Sequence, residues 1–164
     1  MPTNASFTGE LKHEATLTKK MLERVPLDNK EWKPHEKSTT IGRLATHNAE
    51  NLRWVAFILG SDVFDISTAM VAPHTASSTE ELLKIFQGHL DQAMAALEKA
   101  TDEELDKLWT FTKAGQTVMQ MPKKVAIRNM AFNHMVHHRG QLSVYLRLLN
   151  VPVPGMYGPS ADEK

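Results

Sequence analysis

Apolar residues recur at three- and four-residue steps along most of this chain, the period of a helix that buries one face. The pattern opens at Phe7, Leu11, Ala15, Leu22 and Val25, with Asn4 or Ser6 placed to cap a helix and Pro26 to end it. A second helix is predicted from Ile41 to Gly60, behind the cap oxygens of Ser38, Thr39 and Thr40. Its apolar stripe, Ile41, Leu44, Val55, Ile58 and Leu59, is interrupted at the centre by His47, Asn48 and Asn51. Ser78 and Glu81 form a capping signature for a third helix, whose face is Leu82, Leu83, Ile85, Phe86, Leu90, Met94 and Leu97. Thr101 and Glu104 repeat that signature before a short helix ending near Trp109. The longest pattern, Pro122 to Asn150, would run about 40 Å at a rise of about 1.5 Å per residue.

The connections are less regular. Leu27 to Ser38 holds Trp32 and Pro34, and the tryptophan reads as packing over one end of the helices. Ser61 to Ser77 reads as a long crossover loop, and Phe111 to Met121 has no clear period, with Gly115 and Pro122 marking a break. The tail from Val151, rich in Pro and Gly, cannot continue a helix and is expected along the surface. No internal repeat or sustained strand alternation is present. The expectation is an all-α fold, a four-helix bundle with a long crossover connection and one or two short helices, in a single domain over residues 1–164.

Charge narrows the partners. Nineteen basic and nineteen acidic side chains cancel, so the overall field that draws a protein to nucleic acid or anionic lipid is missing. The chain has no cysteine, which excludes disulfides, thiolate metal sites and a cysteine nucleophile. Its N-terminal stretch turns polar at once and no apolar run approaches a bilayer span, so a cytoplasmic protein with no nucleic-acid or membrane partner is expected.

The candidate chemistry sits on the last long helix. His134 and His138 are one turn apart and share a face with Ile127, Ala131, Leu142 and Tyr145, so both imidazoles are expected to point into the bundle. An i, i+4 pair of neutral imidazoles can grip one transition metal but needs a third ligand, and His47, at the polar centre of the second helix, is the candidate. The competing reading of any one histidine on an apolar face is a hydrogen-bonded core residue. Two buried together would each need a polar partner, which leaves the pair evenly balanced between the readings, and the three positions taken jointly favour a metal. His137 is turned away from this face, and His13, His35, His74 and His89 have no comparable grouping.

No Asp or Glu occurs between Pro122 and Asn150, and Met135 stands where a metalloprotease helix carries its glutamate base. Glu50, one turn after His47, is a candidate base or an acceptor behind a ligand, with a solvated position on the helix as the alternative. Asn48, Asn51 and Gln141 are candidates to orient ligands or to satisfy the imidazoles. Arg128, Arg139 and Arg147 make the last helix basic, which suits an anionic substrate unless they pair with acids such as Glu81, Asp91 and Glu98. Phosphate-cradling loops, nucleophile elbows and dinucleotide fingerprints are absent from the sequence.

The segment WKPHEKSTTIGRLATH, Trp32 to His47, with HMVHHRGQLSVYLRLLNVPVPGMYG, His134 to Gly158, resembles the DinB / YfiT-like superfamily of damage-inducible proteins. The resemblance implies a four-helix bundle with a crossover connection, often a homodimer, holding a divalent metal such as zinc or nickel on three histidines. Those ligands fall on His47, His134 and His138. Some members are thiol-dependent transferases or isomerases using low-molecular-weight thiols. The expected activity is metal-dependent hydrolysis or thiol-dependent transfer on a small-molecule substrate. The alternative is a stress-related binding or scaffold protein with a structural metal.

Overall fold

The computed structural model describes residues 2–68 and 73–163. The predicted helices are present: α1 (Thr3–Leu22), α2 (Ile41–Glu50), α3 (Arg53–Gly60), α4 (Thr79–Lys99), the short α5 (Asp102–Asp106), α6 (Lys123–Ile127) and α7 (His134–Leu148). The protein is mostly helical, but the all-α expectation needs correcting. Strands β1 (Val63–Asp65), β2 (Leu108–Lys113) and β3 (Gln116–Pro122) form one sheet in that order, β1 parallel and β3 antiparallel to β2. β1 lies inside the predicted crossover loop, whose residues 69–72 are outside the described residues, and Trp109 belongs to β2 rather than to the end of a helix.

The hairpin was hard to read because its turn lacks the usual sequence. Register places Lys113 opposite Gln116, so the loop is Ala114 and Gly115, both with positive φ (50° and 76°). Such a turn ordinarily uses Asn-Gly or Asp-Gly, because a β-carbon is strained there. Here the missing carboxylate comes from β1. Asp65 accepts hydrogen bonds from the amides of Ala114 (3.2 Å) and Gly115 (2.8 Å), fastening the turn to the parallel strand. The sheet's inner residues, Phe64, Trp109 and Phe111, join Trp54 of α3 in one aromatic cluster.

The predicted second helix is divided at Asn51 and Leu52, where Trp54 and Val55 bond back three residues instead of four. The long last helix is continuous, but its residues Arg128–Asn133 adopt π-helical bonding between α6 and α7. Asn150, with φ 57°, ends it, and the amides of Asn150 and Val151 reach back to the carbonyls of Arg147 and Leu146 in the manner of a left-handed cap. Local caps were partly as expected. Thr40, Ser78 and Thr101 accept from Arg43, Glu81 and Glu104, but neither glutamate completes the box. Glu81 turns to Ser77 and His74, and Glu104 to Lys107 and the buried Lys123. α1 starts at Thr3, ahead of the predicted caps, with its first amide bonded to Asp102 of α5.

α4 packs on α1, α2 and α3, while α7 packs on α1 and α2. The arginines of the last helix do pair with acids, although not with the three named from sequence. Arg128 meets Glu10, Arg147 meets Asp162 of the tail, and the buried Arg139 meets Glu14 at 2.6 Å. Those charges are internally neutralised, so the helix as a whole is not an anion-binding face. The packing that matters for the site is α2 against α7, since it carries one histidine to the other two.

Candidate metal centre

His47 on α2 and His134 and His138 on α7 come together, each offering a ring nitrogen, with these atoms all within 4.8 Å of one another. The Nε2 atoms of His47 and His134 are 3.4 Å apart. That separation is long for a hydrogen bond but matches the edge of a tetrahedron with metal–nitrogen bonds of about 2.0–2.1 Å.

The orientation of the His138 ring is fixed from behind. Nδ1 of His138 is 2.7 Å from the Gln141 carbonyl oxygen, which can only accept, so the ring proton sits on Nδ1 and Nε2 keeps a bare lone pair. That Nε2 is buried and has no hydrogen-bond partner among the described residues. An orphan acceptor beside two further imidazoles is the donor set a divalent ion requires, so the residues fit such an ion.

The π turn also changes which face is buried. Before it the buried residues include Ala126 and Ile127, within it Ala131 and Phe132, and after it Met135, Arg139, Leu142 and Leu146. A uniform 3.6-residue period puts His134, His138 and Tyr145 on the buried stripe, whereas the wider turn rotates that stripe past them. The two histidines therefore lie half-buried at the edge of the core, beside an opening, rather than deep inside. His137 is exposed on the far side of His138, as expected.

Among the other candidates, Gln141 alone bonds an imidazole. Asn51 donates to the Ala131 carbonyl at 2.9 Å and so pins the π turn to α2. Asn48 is fully buried and its amide contacts no imidazole. Glu50 is held by Arg43 at 3.0 Å and lies 4.0 Å from Arg53, facing guanidinium groups rather than His47. His74 pairs with Glu81, and His35 accepts from Lys37. One residue was missed: Arg43, one turn before His47, lines a cavity of about 290 Å³ together with Thr39, Leu44, His47, His138 and Gln141. Its i, i+4 spacing from His47 was the available signal.

Burial holds all three imidazoles neutral. His47 is pushed down to about 4, by desolvation first and then by His138, His134 and the nearby Arg43 and Arg53. His134 and His138 are also lowered, again chiefly by desolvation. Above about pH 6.5 His47 is neutral in both folded and unfolded chains. Below that the unfolded chain takes up a proton that the folded one refuses until about pH 4. Stability of the metal-free protein is therefore expected to fall as pH drops from about 6.5 towards 4. Urea midpoints measured in chelator across this range should show the decline, and His47→Gln should reduce it. An equal decline in that variant would mean the histidine is not buried as described.

Comparison with known proteins bears on the family and the fold. The family model described as "DinB family" matches residues 1–164. Two relatives from Bacillus subtilis (strain 168) are similar in sequence, both described as uncharacterized. YjoA is 28% identical over 133 residues, covering 80% of each chain, and YrdA is 26% identical over 162 residues, covering 96% of this chain and 89% of the relative. Among solved structures, a DinB-like protein from Bacillus cereus ATCC 10987 superimposes with a TM-score of 0.72 at 22% identity, covering 92% of this chain and 95% of the other. The YjoA crystal structure gives 0.70 at 18% identity, covering 97% and 99%. At these identities the structural likeness shows the fold.

Proposed function

The chain belongs to the DinB family, and from that premise we propose that His47, His134 and His138 hold one divalent metal ion, zinc or nickel, in a site open to small molecules. The observation that carries this reading is the buried, unpartnered Nε2 of His138, aimed at the same point as the other two rings. A divalent ion on three neutral imidazoles would supply Lewis-acid activation of water or of a thiol at its remaining position. The protein's part is to keep the rings neutral, to fix the tautomer of His138 through Gln141, and to admit the substrate through the cavity beside His138 and Arg43.

The reaction proposed is metal-dependent hydrolysis or transfer of a low-molecular-weight thiol. A chain without cysteine must take such a thiol from solution. The same reading takes the long helices as a four-helix bundle that forms a homodimer. A structural metal in a scaffold protein is the competing reading, and a fourth protein ligand would favour it.

Gln141→Ala provides a test that leaves the three ligands intact. Loss of an outer hydrogen-bond partner is expected to weaken metal binding roughly 10- to 100-fold. Competition against a chromogenic chelator measures it. Unchanged affinity would show that Gln141 does not orient His138 towards a metal.

A further inference from the structure

The cavity beside the three histidines has a charged wall, and that wall has a chemical preference. Arg43 lines it with Thr39, Leu44 and Gln141. One of its terminal nitrogens donates to the His74 carbonyl at 2.8 Å and the other to Glu50 at 3.0 Å. A guanidinium has five N–H donors, so among the described residues these two bonds leave three. Glu50 is shared with Arg53 at 4.0 Å, so two guanidinium groups stand against one carboxylate. The side chain of Arg43 is one-quarter exposed and is held from both sides, which fixes the guanidinium at little entropic cost on binding.

Resting on the metal reading above, we propose that this site selects anionic small molecules, with a carboxylate that pairs with Arg43 while a second group of the same molecule reaches the metal. Fork-shaped pairing of Arg with a planar carboxylate is the interaction its remaining donors suit. The excess positive charge around Glu50 adds to the charge of a bound ion, so an anion gains and a neutral analogue does not. Glu50 is then the group that competes with substrate for Arg43 and sets how tightly the anion is held.

The test uses the full-length protein loaded with cobalt(II), which reports thiolate binding by a near-ultraviolet charge-transfer band. Two probes are titrated, neutral 2-mercaptoethanol and carboxylate-bearing 3-mercaptopropionate. The expected result is that the wild type favours the carboxylate thiol by about tenfold or more, the size of a charge-assisted hydrogen bond. Arg43→Gln is expected to bring the ratio near one in protein loaded with cobalt. Glu50→Gln is expected to raise the affinity for 3-mercaptopropionate. Equal affinities in the wild type, or a preference that survives Arg43→Gln, would overturn the anion proposal alone. No cobalt uptake would overturn the histidine–metal reading, and cobalt bound without a thiolate band from either probe would overturn the open site together with the anion proposal.

Discussion

Replacing His138 by alanine is expected to abolish stoichiometric metal binding. The remaining imidazoles, His47 and His134, would be a two-point site on separate helices, and among the described residues no carboxylate joins the group to replace the lost ligand. Glu50 is engaged by Arg43 and Arg53, and the exposed His137, although its ring lies 5.0 Å from that of His138, is not one of the three convergent imidazoles. The affinity loss should exceed about 100-fold, beyond the roughly 10- to 100-fold expected for an outer partner such as Gln141. The metal-free fold should be little affected, because His138 sits at the edge of the core and its buried Nε2 makes no bond that folding relies on. Elemental analysis of untagged wild type and variant, paired with their melting temperatures in chelator, separates the two effects. One equivalent of metal in His138→Ala would remove this residue from the ligand set.

Arg139→Met is expected to produce the largest loss of stability. Arg139 is 2% exposed and bonds four acceptors: the carboxylate and carbonyl of Glu14, the hydroxyl of Thr18 and the phenol of Tyr157. Tyr157 in turn donates to Glu14, so α1, α7 and the tail meet in one polar knot, buried at Arg139 and Glu14 and open to solvent at Tyr157. Removing the cation leaves the Glu14 carboxylate, itself only 10% exposed, without its counter-charge. Breaking a buried pair in this way destabilises by about 3–5 kcal/mol, against a total of about 5–15 kcal/mol for an ordinary protein. Urea unfolding measures the loss. A second variant, Tyr157→Phe, removes the hydroxyl that accepts from Arg139 and donates to Glu14 but keeps the ion pair, and should lose only about 1–2 kcal/mol. A loss below about 1 kcal/mol in Arg139→Met would mean that the knot is not closed in solution.

How much of this was legible in the sequence depended on whether the determining interaction was local. The capping threonines and serine of α2, α4 and α5, and the i, i+4 spacing of His134 and His138, act within one helical turn, and each is found in the structure. His47 was legible as a polar break in an apolar stripe. The β2–β3 hairpin was not, because Ala114-Gly115 lacks the side chain that ordinarily supports such a turn and borrows it from Asp65, about fifty residues away in sequence. The π turn was hidden for a related reason. It is held by Asn51 from α2, and nothing in RNMAFN announces that the buried stripe will rotate there. That rotation moves the histidines from the core to its edge. The partners of the last helix's arginines were likewise beyond reach, since Glu10, Glu14 and Asp162 become neighbours only once the chain has folded.

The central claim is a divalent ion on three imidazoles with an open position, and X-ray absorption of the metal-loaded, untagged protein tests it most directly. The predicted spectrum has one metal per chain, three imidazole nitrogens at about 2.0–2.1 Å and at least one light-atom ligand from solvent. Fewer than three imidazoles, or no stoichiometric metal at all, would contradict it.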